Sequence, residues 1–262
     1  MLRFILVLIF AISLLGISSS KAQQLSKDNS KPLRIAVAAN FTPVLKILLK
    51  DFSKNTGIKT QVISGASGAM FLQIKHGAPY DVFLSADSRR PKELEQADYI
   101  LKNSRKTYAR GQLALYSSSH SMHASEPLSL DLLSSPPARF AIANPDIAPY
   151  GKAAKEVLTH LGLWKNYQSR LIKGINIGQT FAQIRSKGVT LGIVSNSQLV
   201  LNNLPGVIIP NNYHQPIKQQ LVIIRASKNK AAAKKLSQFL LSAKSQATIV
   251  SYGYAQTNKA KS

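Results

Sequence analysis

At 262 residues the chain has room for one large domain or two small ones, either with a proper core. It contains no cysteine, which excludes disulfides, thiol catalysis, thiolate metal sites and a lipid anchor on cysteine. A formal charge of +23 points to anionic surroundings, yet the lysines are scattered and form no RNP, zinc or helix-turn-helix pattern, so nucleic acid is not an expected partner.

The chain begins Met1-Leu2-Arg3, continues with an apolar run from Phe4 to Ile17 and reaches Ser20-Lys21-Ala22. This is the pattern of a secretory signal peptide over residues 1–22, and it implies export to a periplasm. The run is short for a membrane span and no second one follows, so no stable membrane anchor is expected. Removing Arg3 and Lys21 with it leaves +21. Gln23 to Lys31 is a polar lead-in without periodicity.

Ile35-Ala36-Val37-Ala38-Ala39 is too short for a helix and reads as a buried strand. Thr42 then serves as N-cap and Pro43 as first helical residue, with Val44, Leu45, Leu48, Leu49 and Phe52 on one face before Asn55-Thr56-Gly57. The scheme repeats in strand Thr60-Gln61-Val62-Ile63, turn Ser64 to Gly68, and a helix to about His76. Asp81 to Ser85 is a third strand, and Pro91-Lys92-Glu93-Leu94 opens another helix. Such alternation implies mostly parallel sheets with helices on both faces.

Gly111 to Tyr116 reads as a strand, Ser117 to Glu126 as a loop, and Ser134-Ser135-Pro136-Pro137 as a break. Phe140-Ala141-Ile142-Ala143 is the next strand, and Tyr150-Gly151 opens a helix carrying Ala153, Ala154, Val157, Leu158 and Leu161. Gly174 to Gly178 leads into a helix with Phe181 and Ile184, and strand Leu191 to Val194 ends at Ser195-Asn196-Ser197. A late strand at Gln219 to Ile224, a helix at Ala231 to Leu241 and a short helix near Ile249 close the chain. Two α/β blocks and a return to the first predict two lobes joined by two crossing strands, near Gly111–Tyr116 and Lys218–Ile224. The expected division is 31–112 with 221–262 as lobe I and 113–220 as lobe II.

Four turns open helices with small or hydroxylic residues, and a fifth strand end carries the same chemistry. Free backbone N–H groups, the positive ends of helix dipoles and nearby hydroxyls are the makings of an anion site. Taken singly, Asn40, Ser67 and Tyr150 have plain structural readings as turn former, N-cap and half-buried ring. Asp87 reads as a helix cap.

The chain resembles the periplasmic molybdate- or tungstate-binding proteins that serve ABC importers. The likeness runs from about Leu33 to Tyr254. It is carried by Ala38-Ala39-Asn40-Phe41-Thr42, by Gly77 to Asp87, by Asn144 to Gly151 and by Leu191-Gly192-Ile193-Val194. It implies an α/β periplasmic binding protein of two lobes, a monomer, that closes on one tetrahedral oxyanion without cofactor or direct metal ligands and delivers it to an ABC permease. Carried over by position, the binding residues fall on Asn40, Ser67, Tyr150 and Ile177, the last through its backbone N–H. Some members place a tyrosine hydroxyl where Ser195 stands here; Ser195 is a shorter donor, and Tyr150 is its alternative. Four helix starts with Asn40, Ser67, Tyr150 and Ser195 offer about eight donors.

Two other classes compete. Gly65-Ala66-Ser67-Gly68-Ala69 faintly resembles a nucleophile elbow, but its closing glycine is replaced by Ala69. His76, His120, His123, His160 and His214 show no zinc spacing with acidic partners, and carboxylates are scarce, so an enzyme is not expected. A sulfate-type binding protein, or a basic envelope module binding anionic polymers, is the remaining alternative; the polymer module's affinity would fall steadily with salt.

Overall fold

The computed structural model describes residues 31–119 and 128–257; the signal segment, His120 and His123 lie outside them. The first block is β1 (Leu33–Ala38), α1 (Thr42–Thr56), β2 (Thr60–Gly65), α2 (Ser67–Lys75), β3 (Val82–Ser85), α3 (Arg89–Gln96) and β4 (Lys106–Gly111). The second is β5 (Leu113–Ser117), β6 (Phe140–Ala143), α4 (Pro149–His160), α5 (Trp164–Tyr167), β7 (Leu171–Gly174), α6 (Ile177–Arg185), β8 (Leu191–Ser195), α7 (Asn196–Leu201) and β9 (Val207–Ile208). The chain ends with β10 (Ile217–Ile223), α8 (Lys230–Leu241) and α9 (Ala243–Ser251).

These elements build two five-stranded sheets, ordered β2-β1-β3-β10-β4 and β7-β6-β8-β5-β9. In the first, β10 runs antiparallel to both neighbours while β1, β2 and β3 are parallel. In the second, β5 is the reversed strand, antiparallel to β8 and β9, while β6 is parallel to β7 and β8. Four of five strands in each sheet therefore point one way, as the strand-helix alternation predicts.

Each sheet has its own core. Leu33, Ile35 and Val37 of β1 pack with Val44, Leu45, Leu48, Leu49 and Phe52 of α1 and with Ala233, Leu236 and Leu240 of α8. Phe140 and Ile142 of β6 pack with Ala153, Ala154, Val157 and Leu158 of α4. Burying each large aliphatic or phenyl side chain contributes roughly 1.5–3 kcal/mol. Gly57, at φ 71°, ends α1 in the left-handed conformation and donates its N–H to Ser53 O, the geometry that favours glycine there.

Three local expectations change. The Gly111–Tyr116 strand is two strands: Gly111 closes β4, which pairs with β10, and Leu113 opens β5 in the other sheet. The switch occurs at Gln112. The return crossing falls before Ile217, because Ile217 already lies opposite Gly111 in the first sheet and β10 stays there throughout. Thr42 is the first residue of α1 and not its cap; Phe41 holds that position, and Thr42 Oγ1 contacts Ser64 Oγ at 2.7 Å.

Candidate anion site

The parallel strands deliver their C-terminal ends, and the helix starts that follow them, to one place. Asn40 sits between β1 and α1, Ser67 opens α2, Tyr150 is the second residue of α4, and Ile177 opens α6. All four line one cavity of about 10 Å³, together with Ala38, Ala39, Gly65, Ala66, Ala86, Ala148, Pro149 and Asn176. Nothing in that lining is ionisable at neutral pH. A space that small is far below what a sugar, amino acid or peptide needs.

The lining is built to donate hydrogen bonds. The backbone N–H groups of Asn40, Ser67, Tyr150 and Ile177 donate to no other described residue, as expected at helix starts. Ser67 Oγ accepts from Ala86 N at 3.0 Å, and Tyr150 Oη accepts from Gln219 Nε2 at 3.0 Å. Each hydroxyl thus has its oxygen satisfied and its own proton uncommitted. The positive ends of α1, α2, α4 and α6 add partial charge of the same sign.

Asn40 is 1 % exposed and the centre of a buried polar knot. Its Nδ2 lies 2.9 Å from Gln219 Oε1, 3.1 Å from Tyr254 Oη and 3.5 Å from Tyr150 Oη, while Oδ1 has no partner among the described residues. Tyr254 Oη donates to the Asn40 carbonyl at 2.9 Å. Burial pushes the Tyr150 hydroxyl well above its ordinary value, with the neighbouring Tyr254 adding to the shift and hydrogen bonds from Gln219 and Asn40 opposing it. Burial, then Tyr254, Tyr150 and Asp87, raise Tyr108 likewise. These tyrosines remain protonated, and so remain donors, at any physiological pH.

Ser195 is placed apart from this lining. It is fully buried, its Oγ lies 3.1 Å from Ser197 Oγ, and its N–H donates to Gln198 Oε1 at 3.1 Å, so the hydroxyl is engaged at the start of α7. Ser197 Oγ in turn reaches Tyr254 Oη at 3.3 Å, which links Ser195 to the Asn40 knot through two side chains. Asp87 stands one residue before Ser88, which holds the N-cap position of α3, yet its side chain still ties down the helix start: Oδ1 accepts from Arg90 N at 3.1 Å, and Oδ2 forms an ion pair with the Arg90 guanidinium.

The sequence reading missed Gln219, Tyr108 and Tyr254. Gln219 offered one signal, an amide inside a strand otherwise destined for the core; the tyrosines offered none beyond being aromatic.

The same helix starts also close the cleft. Gly68 N–H donates to Ile147 O at 2.9 Å, and Arg90 Nη2 donates to Asp146 O at 3.3 Å, joining the helices of the first sheet to the loop that precedes α4. A Cβ on Gly68 would stand 2.8 Å from Ile147 O and 2.9 Å from Arg90 Nη2, so this contact requires glycine. Among the described residues no cluster of three or more His, Cys, Asp or Glu could hold a metal ion, and no helix is long and apolar enough to cross a membrane.

Two sheets with a small cleft of helix starts between them define a solute-binding protein fold. The chain belongs to the bacterial extracellular solute-binding protein family, whose model matches residues 33–255. Among its relatives, the molybdate-binding protein ModA of Azotobacter vinelandii is 34 % identical over 254 residues, covering 94 % of this chain and 98 % of that one. ModA of Rhodobacter capsulatus is 35 % identical over 224 residues, 84 % of this chain and 86 % of that protein. In structure, the periplasmic molybdate-binding protein of Azotobacter vinelandii superposes with a TM-score of 0.80 at 36 % identity, over 86 % of this chain and all of that one. All of these relatives are named as binding proteins.

Proposed function

We propose that this chain is exported to the periplasm, captures molybdate or tungstate in the cleft and delivers it to an ABC permease. The observation that carries this reading is the neutral lining whose N–H and O–H groups, at least six of them, are uncommitted and converge from four helix starts. A buried dianion loses its hydration and needs a donor for nearly every lone pair it presents. Fixed dipoles supply these without a mobile cation, and they reward a tetrahedral ion that accepts every bond.

The ligand contacts are assigned to Asn40, Ser67 and Tyr150 and to the backbone of Ile177, with no metal–protein bond and no cofactor. Ser195 acts behind them, through the two side chains of Ser197 and Tyr254. Lobe I comprises residues from β1 to β4 and the chain from β10 onward; lobe II lies between. Closure brings Gly68 and Arg90 onto the 146–147 carbonyls, and the protein works as a monomer. The two relatives above, named for molybdate, support this ion over sulfate.

Isothermal titration of the mature chain, starting near Gln23, with molybdate, tungstate, sulfate and phosphate tests the proposal. Saturation at one ion per chain by molybdate and tungstate alone is expected. Preferential binding of sulfate or phosphate would move the substrate, and silence with all four would remove the site.

A further inference from the structure

Gln219 is completely buried on β10, a strand whose neighbours Leu221, Val222 and Ile223 are apolar. A buried amide is costly unless its hydrogen bonds are made, and here they are. Its Oε1 accepts from Asn40 Nδ2 at 2.9 Å and from Tyr108 Oη at 3.0 Å; its Nε2 donates to Tyr150 Oη at 3.0 Å. Gln219 therefore touches two residues of the cavity lining without lining the cavity itself. Asn40 lies in the turn before α1 beside the first sheet, and Tyr150 is in the first turn of α4 beside the second, so one amide spans the cleft.

The direction of that amide decides where hydrogens point. With Nε2 on Tyr150, the tyrosine proton is left for an ion. Turned the other way, the amide oxygen would take that proton, and Tyr150 would offer only lone pairs. Asn40 is bound to the same choice. It cannot reverse alone, because its Oδ1 would then face Gln219 Oε1 at the 2.9 Å now spanned by a hydrogen bond. Its Oδ1 is the only side-chain N or O atom of the lining residues buried without a partner among the described residues, and only a joint reversal of both amides would exchange it for a donor.

We infer that Gln219 is a positioning residue for the anion: it does not contact the ion, and it sets which hydrogens Asn40 and Tyr150 present to it. The inference rests on the oxyanion reading above. A carboxylate at this position would accept from Asn40, Tyr108 and Tyr150 alike, withdraw the Tyr150 proton from the cavity and place a charge beside the dianion. Protonated, the same carboxyl has one donor and one acceptor, as the amide has.

The test is molybdate titration of wild type, Gln219→Glu and Gln219→Met at several pH values, in pairs of buffers with different ionisation enthalpies. Wild type is expected to bind without proton exchange. Gln219→Glu is expected to bind about 100-fold more weakly at pH 8, to take up about one proton per bound ion, and to recover affinity as the pH falls toward 6.5. Gln219→Met keeps the volume without charge; it is expected to lose about 10-fold at every pH with no proton uptake, and it carries the test if the carboxylate variant fails to fold. Loss through general damage to the fold would leave proton uptake at none. Wild-type affinity in both variants, or weakened Gln219→Glu binding without proton uptake, overturns the inference and leaves the oxyanion reading standing. Absence of oxyanion binding by wild type removes both.

Discussion

Two adjoining hollows in the cleft differ in every respect that matters to an ion. The inner one, about 10 Å³, is lined by alanines, glycine, Asn40, Ser67, Tyr150 and Ile177. The outer one, about 280 Å³, shares Ala86, Ala148 and Pro149 with it but carries Asp87, Arg89, Arg90, Lys152, Glu156 and Lys218. Charged side chains thus line the outer hollow, and the place of recognition has none. Fixed donors select by geometry, because a misplaced oxygen forfeits a hydrogen bond in a dry site; exposed lysines attract any anion and discriminate little.

Breaking the inner hollow should have the largest effect. In the double substitution Asn40→Ala with Ser67→Ala, the first change removes the amide that ties Gln219, Tyr150 and Tyr254 together and the second removes a hydroxyl of the proposed shell; each hydrogen bond to a charged ligand is worth roughly 1.5–3 kcal/mol. A loss of at least about 100-fold in molybdate affinity is expected by calorimetry. Unchanged affinity would show that the lining does not hold the ion.

Next in size is closure. Gly68→Ala sets a methyl group against Ile147 O and Arg90 Nη2. Affinity should fall about 10-fold. The ligand-induced compaction seen by small-angle X-ray scattering should shrink with it, while the melting temperature of the ligand-free protein stays put.

The neutral lining also makes a pH prediction. Affinity is expected to be flat between pH 7 and 9, since no lining group titrates there. Stability behaves differently. Folding holds Tyr108 and Tyr150 above the ordinary tyrosine value of 10.0, mainly by burial. The unfolded chain therefore releases protons first, and the stability present below pH 10 is lost as pH rises beyond it. Thermal melts from pH 9 to 11.5, followed alongside tyrosinate absorbance, should show unfolding and ionisation arriving together.

The smallest effect belongs to the outer hollow. Lys152 is exposed and 3.8 Å from Glu156, and Lys218 is exposed on the reversed strand β10. Replacing both by Gln should slow association about threefold or less at low salt and leave the rate unchanged near 0.5 M salt. A large loss of equilibrium affinity would contradict the division of labour between the two hollows.

Much of this architecture is local and therefore legible. The alternation of short apolar runs with 3.6-residue periodicity locates β1, α1, β3, β6 and α4, and Gly57 marks a helix end because backbone rules act within a few residues. Small residues before a helix announce an unoccupied N-terminus and bring the helix-opening turns into view, while the family resemblance is what singles out Asn40, Ser67, Tyr150 and Ile177 within them. The change of sheet at Gln112 was hidden because Gly111 to Tyr116 is uniformly strand-like, and only pairing partners distinguish β4 from β5.

By itself, then, the sequence determined the repeating strand-turn-helix units and the donors each one exposes, since these follow from chain geometry and capping. Only the tertiary structure decided which donors share a cavity and which way their hydrogens point. Asn40 meets Gln219 across 179 residues and Tyr254 across 214, and Ser195, equal to Ser67 in local chemistry, is turned into a different knot. Hydrogen bonds of that range depend on how two sheets pack, and no local rule of propensity or spacing contains that information.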